Sequence, residues 1–77
     1  MKYVVIVGHP LMQRDPCMFT DIQGVVGCQS LEQVQEAINA NRVHRNGDWT
    51  VFELVDGKFQ QRSVCFEPDG RTVKNVQ

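Results

Sequence analysis

The chain has 77 residues, a formal net charge of −1 and three cysteines. That is one small domain, of a size that buries only about 60% of its unfolded surface. Near-neutrality argues against strong general affinity for nucleic acid. An odd cysteine count without a Cys-x-x-Cys pair argues against a disulfide framework and suits a reducing compartment.

The first element is Lys2 to Val7, a strand with Tyr3, Val5 and Val7 on one face and Val4 and Ile6 on the other. Apolar residues on both faces mark a central strand. The run is too short for a signal-peptide core or a bilayer span. The expectation is therefore a cytoplasmic protein with no membrane part. Gly8-His9-Pro10 ends the strand, and residues 9 to 16, with two prolines and no period, read as a loop. Residues 17 to 28 read as an edge strand bulged near Gly24, because Gly24 and Gly27 disfavour helix.

Ser30-Leu31-Glu32-Gln33 is a capping box, with the Ser30 hydroxyl expected on the Gln33 amide and the Gln33 side chain on the Ser30 amide. The helix it opens carries Leu31, Val34, Ala37, Ile38 and Asn41 as a stripe, with Gln33, Gln35, Glu36 and Asn39 on the solvated face. Asn46-Gly47 closes the connection.

Trp49 to Val55, Phe59 to Phe66 and Thr72 to Val76 read as three strands, joined by Asp56-Gly57 and Asp69-Gly70. Asp-Gly supplies the positive φ that tight hairpin turns require. With Asp56 and Gly57 central, Val55 faces Lys58, Leu54 faces Phe59, and Phe52 faces Gln61. Thr50, Phe52, Leu54, Phe59 and Cys65 then share one face. Trp49, Val51, Val55, Val64 and Phe66 share the other. One helix covers one face only. Either a bulge within Gln60-Gln61-Arg62-Ser63 shifts the register, or an apolar face is left for a partner.

No pattern carries catalysis. His9, Cys17, Cys28, His44 and Cys65 lack zinc-ligand spacing. Nothing marks Cys17 as an activated nucleophile, and Cys28 and Cys65 read as core. The nine acidic residues read as turn, cap or surface positions. The expectation is a non-enzymatic protein without cofactor or metal. Arg42, His44 and Arg45 near Trp49, with Lys58, Arg62, Arg71 and Lys74 on the strands, keep a single-stranded nucleic-acid or oligomerising regulatory module as the alternative.

Ser30-Leu31-Glu32-Gln33, the run Thr50 to Val55 into Asp56-Gly57, and Asp69-Gly70-Arg71 before Val73 resemble the small phage-encoded type I-F anti-CRISPR proteins. The resemblance implies an accessory protein of a mobile element that binds a host defence complex, a type I CRISPR surveillance complex first, and blocks DNA access or nuclease recruitment. The reading is an α+β domain over residues 1–77 of order β-β-α-β-β-β. It has one antiparallel sheet of about four or five strands and one helix on one face. The expected partner surface centres on Arg62, beside Trp49, Val51, Val64 and Phe66, with Lys58, Arg71 and Lys74 around it. A homodimer through the same leftover face is also expected.

Overall fold

A computed structural model describes the backbone of residues 2–12, 18–41 and 49–77 and the side chains of 2–8, 22–40 and 49–77. The α+β class and element order are as expected. The elements are β1 (Tyr3–Met12), β2 (Met18–Cys28), α1 (Leu31–Asn41), β3 (Trp49–Val55), β4 (Lys58–Arg62), β5 (Val64–Phe66) and β6 (Val73–Val76). The strands form two antiparallel ladders, a four-stranded sheet of order β2-β1-β3-β4 and a two-stranded sheet β5-β6.

β1 is the central strand that its apolar faces require. Val5 lies between Val26 and Val51, and Tyr3 between Cys28 and Glu53. The strand runs on through Pro10 to Met12, against the expected loop over residues 9 to 16; residues 13–16 of that loop lie outside the described residues. The physical reason is that β3 pairing stops at Val7–Trp49, whereas β2 pairing continues to Met12–Met18. Beyond Val7 the described residues give the strand a partner on one side, β2, and proline's missing donor is tolerated at such a position. β2 is the edge strand foreseen. Its register shifts between Gly24 and Thr20, opposite Val7 and His9. The bulge therefore lies just before Gly24 in the chain.

The helix begins as a capped turn. The Gln33 amide donates to Ser30 Oγ at 3.3 Å. The return bond differs from the expected one: Gln33 Oε1 accepts from the Gln29 amide at 2.6 Å, one residue earlier. Val34 and Ile38 are fully buried and Ala37 nearly so, against Tyr3, Val5, Val7, Cys28 and Val51. Each such aliphatic side chain contributes about 1.5–3 kcal/mol on full burial. Gln35 and Asn39 depart from the solvated role. Gln35 Oε1 accepts from the Val73 amide (2.7 Å), and Asn39 Nδ2 donates to the Arg71 carbonyl (3.4 Å). Spaced four apart, they share one side of the helix and hold the second ladder to it.

At the first hairpin both Asp56 (φ 51°) and Gly57 (φ 77°) are left-handed, the signature of a type I′ turn. The register is the one read from sequence: Val55–Lys58, Leu54–Phe59, Phe52–Gln61, continuing to Val51–Arg62. The stretch from Phe59 to Phe66 is not one strand, however. It breaks at Ser63, whose amide and carbonyl exchange hydrogen bonds with Gln77 (2.7 and 2.8 Å). Neither the expected bulge nor a continuous meander forms. The chain swings away so that Val64, Phe66 and Val76 pack against the core, with the Phe66 ring edge-on to Trp49 at 6.3 Å. At the second turn Gly70 is left-handed (φ 72°).

Candidate protein-docking surface

The helix selects one face of the four-stranded sheet. Opposed residues of an antiparallel pair share a face, so Tyr3, Val5, Val7, Cys28, Val51 and Arg62 lie on the helix side. Val4, Ile6, Val25, Phe52, Leu54, Phe59 and Gln61 lie on the other. Among the described residues no helix packs over that second face; Thr50, opposite Ile6, is its one buried residue. Val25 is 60% exposed and Phe59 49%, with Val4, Ile6, Phe52 and Leu54 half-buried between them.

This reverses the expected choice of face. Val51 is 1% exposed and belongs to the core, and Trp49, Val64 and Phe66 pack against it. They are the covered set, and Val51 is closed to a partner. The reason is the position of α1, whose Val34 and Ile38 fill the space over Val5 and Val51. No residue pattern in either face announces that placement. Phe52, Leu54 and Phe59 were legible as one face but not as the open one.

The structure does bring Arg62, Trp49, Val51 and Val64 together, around a groove of about 330 Å³ where β4 and β5 part at Ser63. Arg62 Nε donates to Glu53 Oε1 at 3.0 Å, and both side chains are half-buried. They sit diagonally across β3–β4, so the arginine is held by an intramolecular carboxylate. Lys58 is exposed at the far end of β4, opposite Val55. Arg71 and Lys74 are exposed on the second ladder, away from the open face. The eight expected residues therefore do not form one surface. Arg42, His44 and Arg45 lie outside the described residues.

Among the described residues two groups depart clearly from their ordinary titration. Burial, reinforced by the charge of Glu36, pushes the Cys28 thiol up, away from the thiolate. Asp69 is held down to about 2 by hydrogen bonds from the Thr72 hydroxyl and amide and from the Arg71 amide. These bonds close the second turn and explain the carboxylate structurally. Among the described residues no group of three or more His, Cys, Asp or Glu side chains gathers as a metal site. No described helix is long and apolar enough to cross a membrane. His9 and Cys17 fall outside the described side chains. Comparison with protein-family models, with curated proteins and with solved structures found no match.

Proposed function

We propose that this chain is a non-enzymatic protein-binding inhibitor that docks through the open face of its four-stranded sheet. The carrying observation is that face itself. Two large apolar side chains, Val25 and Phe59, stand about half or more exposed on a sheet that has its helix on the other side. An apolar patch of that kind on so small a domain marks an interaction site. Its centre combines Phe52 and Phe59 with aliphatic neighbours, the composition of an interface core. The anti-CRISPR resemblance supplies the class of partner, a defence complex in the cytoplasm of a host cell.

The test is binding to a type I CRISPR surveillance complex, with and without its DNA. Phe59→Lys should lower affinity by at least about tenfold, or about 1.4 kcal/mol. The fold should be retained, because Phe59 lies outside the buried cluster. Binding that persists in Phe59→Lys overturns the choice of face. Absence of binding to type I complexes, together with salt-sensitive binding to single-stranded DNA or RNA, overturns the inhibitor reading in favour of a nucleic-acid module.

A further inference from the structure

The outer edge of β2 carries an inference that uses main-chain groups instead of the open face. The four-stranded sheet has two edges, β2 and β4. β4 is five residues long and is flanked by Lys58 and Arg62, cationic side chains of the kind that keep an edge from pairing. β2 has its charged residue, Asp21, in the register shift before Gly24. From Ile22 to Cys28 it contains no charged residue and no proline, and Ile22, Val25 and Val26 are all exposed.

The direction of its free donors follows from the register. The Leu54 amide donates to the Lys2 carbonyl, so by alternation Val4 and Ile6 bond toward β3, and Tyr3, Val5 and Val7 toward β2. Their partners Cys28, Val26 and Gly24 therefore turn inward. The Cys28 carbonyl indeed accepts from the Lys2 amide at 2.9 Å. Val25 and Gly27 turn their amides and carbonyls outward.

Gly24 adds a second observation. It lacks the positive φ of Gly57 and Gly70, and a Cβ built on it would meet nothing within 4 Å. Gly24 also borders the register shift of β2, a common place for a strand glycine. The open space beside it leaves room for the close approach of another backbone.

We propose that a second copy of this chain pairs with β2, antiparallel, about a two-fold axis perpendicular to the sheet and centred on Val26. Val25 then faces Gly27 of the second copy, and Gly27 faces its Val25. Each of these pairs exchanges both outward hydrogen bonds. Val26 packs on Val26 across the axis. Gly24 faces Cys28 of the second copy, where the chain turns into α1 and a side chain would crowd it. The register shift before Gly24 ends the ladder on one side, and the helix cap ends it on the other. The product is one sheet of eight strands, twice the four of each copy. Both open faces lie on the same side.

Sedimentation equilibrium from low micromolar to several hundred micromolar tests the association, and amide hydrogen exchange tests the register. The expected result is a monomer–dimer equilibrium in which the Val25 and Gly27 amides gain protection as concentration rises. The inward Gly24 and Val26 amides should stay protected throughout. Val25→Pro removes an outward donor that the monomer does not use, and should shift the equilibrium to monomer. Phe59→Lys, on the open face, should leave the dimer intact, which separates this inference from the docking reading. A monomer at every concentration overturns the proposal, as does a dimer whose Val25 and Gly27 amides exchange freely. Should Val25→Pro not fold, the exchange measurement on the unaltered chain decides alone.

Discussion

Asp69 shows how much one exposed carboxylate can organise. It accepts from the Arg71 amide (2.9 Å), the Thr72 amide (2.8 Å) and the Thr72 hydroxyl. Its folded pKa of about 2 lies below the unfolded value of about 3.9. A depressed carboxylate stabilises the fold above its unfolded pKa, and that contribution is lost as pH falls through the folded one. The unaltered chain should therefore lose stability between about pH 4 and pH 2, and Asp69→Asn should lack this part of the slope. Paired acid-unfolding curves check it. Ser30 offers a second measurement at this scale. Ser30→Ala leaves the Gln33 amide without its acceptor and should cost about 1 kcal/mol. In a domain this small that lowers the melting midpoint by about 4–8 °C, readable by circular dichroism. The capping motif was legible because its chemistry is local. The return bond to Gln29 instead of Ser30 was not, since both amides lie within reach of the same flexible side chain.

Elements were legible where their chemistry is contained in a few consecutive residues. Asp56-Gly57 determines its own dihedrals and, through them, the whole β3–β4 register. Phe59 to Phe66 carries an equally good strand pattern, yet divides at Ser63 because Gln77, fourteen residues later, takes its hydrogen bonds. A competition between β3 and Gln77 is not written in the residues around position 63. Pro10 was misread for a related reason. Proline excludes a paired donor on one side, and only the sheet shows that, among the described residues, β1 at Pro10 pairs with β2 alone. The attachment of β5-β6 to the helix gives this scale its prediction. Gln35→Ala removes the acceptor of the Val73 amide and should cost about 0.5–1.5 kcal/mol. The Val73 amide should exchange faster, while amides of β1 keep their protection.

For the molecule as a whole, the question is which of two apolar sheet faces the single helix takes. The residues list both faces correctly and leave the choice open, because Val51 and Phe52 are equally suited to burial. The helix takes the Val51 side, and the apolar face left open is that of Phe52, Leu54 and Phe59 instead of the one beside Arg62. The Phe59→Lys binding experiment and the exchange pattern of Val25 and Gly27 therefore examine two different surfaces of one sheet. The position of β1 has a further consequence, in time instead of space. Tyr3 pairs with Glu53, so the innermost strand waits for a partner that the ribosome delivers after the helix. Until β3 emerges, β1 has β2 on one flank and an open ladder on the other, and the nascent chain presents an apolar template to its neighbours. Closure of β3 onto β1 is the most distant pairing in the four-stranded sheet and carries its largest loop-closure entropy.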